Sequence, residues 1–170
     1  MEYTTDKIII RTNQNNMRSG GFTDEARLVI KKIANGCYEI SENQFLLSTQ
    51  NGVFLSIRDK LPPRNTKWES LIPPIPQQQD LFIRTEAIAI TQNNIIVLTS
   101  IYDNSKFIRN EIYAFAKSNP RKLLFKRVVG NPRTEYTKIA YVGGMALEIF
   151  SNKGSKMVSL DDGTGWREQK

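Results

Sequence analysis

Apolar residues along this chain fall in short runs separated by Gly, Asn, Pro and Ser. Runs of about four to eight positions, rich in β-branched and aromatic residues, predict strands rather than helices. The expected strands are 7–12, 38–40, 44–49, 53–57, 66–71, 85–90, 94–101, 111–116, 123–129, 137–142, 146–151, 156–160 and 165–168. Gln50-Asn51-Gly52, Gln92-Asn93, Ser118-Asn119-Pro120 and Asn152-Lys153-Gly154 supply turn chemistry between them. One segment competes for helix, because Thr23-Asp24-Glu25-Ala26 resembles an N-cap followed by first-turn acids. Ala26, Leu28 and Ile30 also alternate as in a strand, and the segment is taken as one. The stretch 61–76 holds five of the seven prolines. It must contain an irregular connection, since proline removes a ladder donor.

The strands group in fours. Four precede the proline-rich link, between Cys37 and Leu71; four more run from Thr85 to Val129, and four from Thr137 to Glu168. Each group occupies about 35 to 50 residues, near the period of propeller repeats. Trp68, Phe125 and Trp166 recur on the fourth strand of each group, which points to one repeated packing position.

The last group carries a resemblance. Ser159-Leu160-Asp161-Asp162-Gly163-Thr164-Gly165-Trp166 resembles the Asp-box, S-x-D-x-G-x-T-W, of the sialidase-like (BNR repeat) propeller family, with Gly165 where threonine is usual. A weaker echo in the first group is the strand–turn–strand run Phe45 to Ser56, followed by Asp59 and Trp68. The middle group keeps strand order and Phe125. The resemblance spans about residues 37–168. It implies an all-β fold, a partial β-propeller of about three four-stranded antiparallel blades. A β-sandwich or barrel is the alternative. The expected organisation is a strand and extension at 1–36 and a repeat region at 37–170, a single domain overall. Ser159, Asp161, Gly163 and Trp166 are then structural residues of the box. Asp161 accepts backbone N–H bonds, Gly163 permits positive φ, and Trp166 covers a sheet edge. In the resembling family the box lies on the periphery, so it marks fold rather than activity.

Closed propellers have about four to eight blades. A chain of 170 residues provides three, or four if 7–33 contributes strands of another. Three blades leave open sheet faces. A fragment of a longer propeller, self-association, or a different β architecture would each resolve this. Lys170 follows the Trp166 strand directly, as expected of a component ending at a blade boundary.

Composition narrows the chemistry. Hydrophobic content of 39% and charged content of 24% fit a globular chain. No apolar run approaches the roughly 20 residues of a membrane span. The N-terminus lacks a secretory pattern, so a cytoplasmic location is expected. Cys37 is the only cysteine and histidine is absent, which excludes an internal disulfide, thiolate clusters and histidine bases. Cys37 reads as a small buried hydrophobe. Asp161-Asp162 with Asp59 lacks the alternating oxygen ligands of a calcium loop, and Gly143-Gly144 lacks the rest of a phosphate loop. No cofactor or metal is expected.

Sialidases of the resembling class use an arginine cluster, a tyrosine–glutamate pair and an acidic catalyst. Phe82-Ile83-Arg84-Thr85 and Phe107-Ile108-Arg109-Asn110 only approach the family's arginine motif. Glu135 and Tyr136 are adjacent, and adjacent strand residues face opposite ways. No catalytic residue is therefore assigned. The expectation is a non-catalytic interaction or scaffold module, with a protein partner or self-association. The alternatives are a remnant or relative of a sialidase-like glycoside hydrolase and a basic nucleic-acid or polyanion-binding domain. The last rests on the net charge of +7 and on Tyr113 and Phe115 near a candidate binding surface of Arg84, Tyr102, Phe107, Arg109 and Lys117.

Overall fold

Fifteen β-strands make up the regular structure in a computed structural model that describes residues 2–4, 7–11, 17–20, 34–41, 44–49, 52–57, 67–72 and 81–169. The chain is all-β over these residues, and they divide into two units, Met1–Ile72 and Pro73–Lys170. The division falls within the proline-rich stretch. The expected strand at 23–34 (save Ala34), Asp59 and most of the proline-rich connection lie outside the described residues.

In the first unit, β1 (Glu2–Thr4), β2 (Lys7–Arg11) and β3 (Met17–Gly20) form a three-stranded antiparallel meander. β4 (Ala34–Ser41), β5 (Gln44–Thr49), β6 (Gly52–Ile57) and β7 (Lys67–Ser70) form a four-stranded one. The two-residue alternation sends Leu46, Val53 and Leu55 inward, and Leu46 sits opposite Leu55. The Leu71 N–H donates to Val53 O at 2.9 Å, which carries the chain past β7 with Leu71 and Ile72 buried.

The second unit holds two four-stranded antiparallel sheets. One contains β8 (Leu81–Ile90), β9 (Asn94–Asp103), β10 (Lys106–Ala116) and β11 (Asn119–Val129). The other contains β12 (Tyr136–Gly143), β13 (Ala146–Ser151), β14 (Lys156–Ser159) and β15 (Arg167–Gln169). Each is a simple meander, as short turns between consecutive strands dictate. Thr91 closes the β8–β9 turn, its hydroxyl accepting from the Asn94 N–H at 2.9 Å. Asn104 and Ser105, with φ of 46° and 69°, make the two-residue β9–β10 hairpin, a conformation matched to strand twist. This polar hairpin and the first half of β8 extend the strands beyond the expected 85–90, 94–101 and 111–116.

The two sheets share one apolar layer. Ala89, Ile96, Leu98, Ile112, Ala114 and Val129 face Tyr136, Leu147, Ile149 and Met157, with Phe125, Ile139 and Trp166 closing its margins. Each fully buried Leu or Ile contributes about 1.5–3 kcal/mol. β9 is buried on both faces from Ile95 to Tyr102, as its nearly continuous apolar run requires.

Asn110 sits inside this layer with no exposure. Its side-chain carbonyl accepts from the Tyr136 N–H at 2.8 Å, and its amide donates to Tyr136 O at 2.9 Å, Thr99 O at 3.0 Å and Ser100 Oγ at 3.0 Å. One side chain thereby completes the backbone bonding of the residue that opens β12. Gly130, at φ 72°, makes the approach feasible, since a Cβ there would lie 2.5 Å from the Tyr136 ring. Replacing Asn110 by leucine strands both Tyr136 backbone groups away from water. Asn110→Leu is expected to lose about 2–4 kcal/mol of unfolding free energy, read from urea denaturation; a loss below about 0.5 kcal/mol would refute the lock.

Candidate functional site

The Asp-box residues form one turn between β14 and β15. The Ser159 hydroxyl donates to Asp161 Oδ1 at 2.8 Å and accepts from the Gly163 N–H at 2.9 Å. Asp161 Oδ1 also accepts from the Gly165 N–H at 2.7 Å. The Trp166 indole N–H donates to Gly163 O at 2.9 Å. The Gly165 amide above all holds the Asp161 carboxyl below the usual carboxylate range; slight burial opposes this and Ser159 adds to it. Because Asp161 fastens Gly165 into the turn, the last strand opens at Arg167 rather than at the expected 165. Gly163 has φ 87°, and a Cβ there would come within 3.4 Å of Ile96 Cδ1 and 3.5 Å of Leu147 Cδ1. The turn therefore needs glycine for both conformation and closeness to the core. Asp162, buried, accepts from Asn94 Nδ2 at 2.6 Å, and its N–H donates to Met145 O at 2.9 Å. The box thus pins the second sheet to the first at the start of β9. All of these contacts are structural.

A second constellation lies at the other end of β9. Phe82 stacks on Tyr102 with ring centroids 4.9 Å apart and planes 7° from parallel, and Phe107 meets Tyr102 edge-on at 6.0 Å. The Arg84 guanidinium lies 4.8 Å from the Tyr102 ring centre. It donates to Glu86 at 2.7 Å and to Glu135 at 2.6 Å, and the Tyr102 hydroxyl also donates to Glu135. Burial disfavours the Arg84 charge, but Glu86, Tyr102 and Glu135 outweigh it and raise its pKa further. Burial first, and the bond to Glu135 second, push the Tyr102 phenol well above its ordinary range. With one cation between two carboxylates, the cluster has no surplus positive charge to offer an anion.

Strand register separates the remaining candidates. Arg109 points to the opposite face of the sheet from Phe107, across a register shift. There it donates to Glu111 Oε1 at 2.9 Å, while Lys126 and the Tyr113 hydroxyl each hold Glu111 Oε2 at 2.9 Å. Lys117 follows the far end of β10, about 30 Å along the strand from Phe107. The structure therefore unites Arg84, Tyr102 and Phe107 and leaves Arg109 and Lys117 apart. Tyr113 and Phe115 are 2% and 1% exposed, so neither offers a stacking surface for a base.

The chain matches no protein-family model and no curated protein.

Glu135 is the member of the aromatic cluster that reading along the sequence could not place. Its neighbour Tyr136 is 1% exposed in the core, and adjacent strand residues diverge, so Glu135 turns toward Tyr102 instead. Glu111 gave no signal either: only the register places two cations and a phenol around it. Among the described residues, no group of three Cys, Asp or Glu is arranged to hold a metal ion. Gly143 ends β12 at φ 134° and Gly144, at φ 57°, opens the two-residue turn to β13 with Met145. Cys37 lies in β4 opposite Leu47, its side chain outside the described residues.

Glu111 predicts a pH response. Burial pulls its carboxyl upward, but bonds from Lys126, Arg109 and Tyr113 prevail and lower its pKa in the folded chain. Its stabilising contribution is complete above the unfolded value near pH 4.5 and is lost as pH falls through the folded value. Urea unfolding of wild type and Glu111→Gln should show that the variant is less stable at pH 7. The gap should narrow as pH falls below about 4.5, and a pH-independent gap would remove the charged role.

Proposed function

We propose that this chain is a non-catalytic interaction module, a propeller-like component of a larger assembly. The observation that carries the reading is an exposed apolar patch beside the Asp-box turn. Val142, Met145 and Leu160 are 61%, 53% and 57% exposed. The bond from Asp162 N–H to Met145 O holds the β12–β13 turn against the box, and the strand register places Val142, Met145 and Leu160 at the same end of this sheet. Exposed apolar residues gathered in one region of a folded chain mark contact with another protein surface.

Repeated four-stranded meanders, the face-to-face apolar layer and the box tying one sheet to its neighbour support a propeller-like arrangement in the sialidase-like manner. A sandwich of two sheets would share the last two features, but not the recurrence of an aromatic on or directly before the fourth strand of each sheet, at Trp68, Phe125 and Trp166. The protein partner, or second copy, would complete what an incomplete ring leaves open.

A second reading, a relative of sialidase-like glycoside hydrolases, draws on the contact of Tyr102 with Glu135 beside Arg84. It is the weaker one. A nucleophilic tyrosine needs its proton removed readily, and Tyr102 holds its proton more tightly than a free phenol. Measurable hydrolysis of a fluorogenic sialoside, abolished in Tyr102→Phe, would reverse this ranking.

Light scattering after gel filtration provides the direct test of assembly. The chain is expected to elute as a dimer or larger species with a β-rich circular dichroism spectrum. Val142→Asp with Leu160→Asp should shift it to monomer without changing that spectrum. A wild-type monomer that captures no partner through this patch would defeat the proposal.

A further inference from the structure

The longest acid-free stretch of the chain coincides with an open sheet edge. Residues 112–134 contain Lys117, Arg121, Lys122, Lys126, Arg127 and Arg133 and no acidic residue. β11 lies in the middle of this stretch and at one end of its sheet, in the order β11-β10-β9-β8. Among the described residues no strand pairs with its outer side. Seven of the eight positions from Arg121 to Val128 are exposed, Phe125 alone being half-buried. Pro120, second in the strand, also marks an edge, where a missing N–H is tolerated.

Open edges are usually guarded by lysines that project across them. β11 is guarded poorly. Lys126 is drawn back over the Tyr113 ring, at 5.2 Å, to reach Glu111, and Arg127 lies back over Phe125 at 5.8 Å. On either side of them along the strand stand Leu123, Leu124 and Val128, at 43%, 41% and 60% exposure. An edge built only for solubility would not display these three. Cations folded onto both faces, exposed apolar side chains flanking them and unpaired backbone suit an added strand.

We propose that the outer edge of β11 docks an extended, acidic segment of a partner protein, which joins the sheet as a fifth strand. Backbone hydrogen bonds supply the affinity and side-chain pairing the choice of partner. The alternating faces define what fits. Arg127 and Phe125 share the face of the apolar layer, and Lys126 and Val128 share the face of Glu111. Successive acids opposite Lys126 and Arg127, flanked by β-branched residues opposite the apolar positions, place opposite charges across the strand pair. This docking strand is separate from the patch around Val142 and stands whether or not that patch assembles the chain. Nucleic acid would use the same cations but gains nothing from a strand edge or from Leu123 and Leu124.

The test is a fluorescence anisotropy titration of the whole chain with a labelled peptide in which pairs of successive glutamates are separated by pairs of valines, long enough to span β11. Three probes accompany it: oligoglutamate of equal charge, the same peptide N-methylated at alternate residues, and an oligodeoxythymidylate. The valine–glutamate peptide should bind at least about tenfold more tightly than each of the three, and binding should weaken with salt. Lys122→Glu with Arg127→Glu should abolish it, with circular dichroism confirming the fold. Amide exchange should slow within β11 when peptide is added. Equal binding by oligoglutamate or by the N-methylated peptide would reduce the edge to a charged surface. Tighter binding of the oligonucleotide would assign it to nucleic acid, and no binding of the first peptide would end the proposal.

Discussion

The second unit depends on a single dry layer, in which one face of the β8–β11 sheet meets one face of the β12–β15 sheet. Apolar contact of this kind is strong but indifferent to register, since Ile, Leu and Ala can slide with little loss. Two buried polar contacts remove that freedom, one near each end of β9. At the far end Asn110 bonds both backbone groups of Tyr136, and at the near end Asn94 bonds Asp162. They lie about 20 Å apart along β9, so together they set translation and rotation of one sheet on the other. Each costs desolvation, and each is tolerable only because its partner is present.

These locks also locate the surfaces with chemistry. The Asn110 contact brings Tyr136 into the core, which forces the preceding residue, Glu135, outward and onto Tyr102 and Arg84. The Asn94 contact holds the side chain of Asp162, whose backbone is left-handed at φ 57° and whose N–H bonds Met145 O, so the β12–β13 turn stays beside the Ser159–Trp166 turn that carries Leu160. The aromatic cluster and the apolar patch are thus consequences of how the layer is sealed, one at each end.

The strands and their grouping were legible because they rest on local rules: period-two alternation, turn residues and proline placement. The turn from Ser159 to Trp166 was legible for the same reason, since its bonds run between residues two to four apart. Legibility failed where a side chain meets something distant. The hairpin 102–110 looks too polar for strand, yet Asn110 is buried because it answers Tyr136, 26 positions away. Tyr113 and Phe115 read as candidate stacking surfaces when they are core. Arg109 and Phe107, two apart, were grouped together, but a register shift between them sends the arginine to the other face. Short meander strands at 2–4 and 17–20 carried too little apolar pattern to be distinguished from loop.

The net charge of +7 acquires a different meaning once partners are assigned. Arg84 is balanced by Glu86 and Glu135, and Lys156 pairs with Glu148 at 3.0 Å. Arg109 and Lys126 share Glu111, which leaves one positive charge between them on that face. The excess therefore gathers where acids are missing from the sequence altogether, along β11 and its flanking turns. That is also the one four-stranded sheet edge in this unit whose residues are exposed over most of an eleven-residue strand. Screening by physiological salt reduces the reach of such a field to about 8 Å, less than two strand spacings of about 4.8 Å beyond β11. Charge of this kind selects what lies directly against the edge rather than what drifts past it, and an extended backbone is the one shape that can use the whole of it.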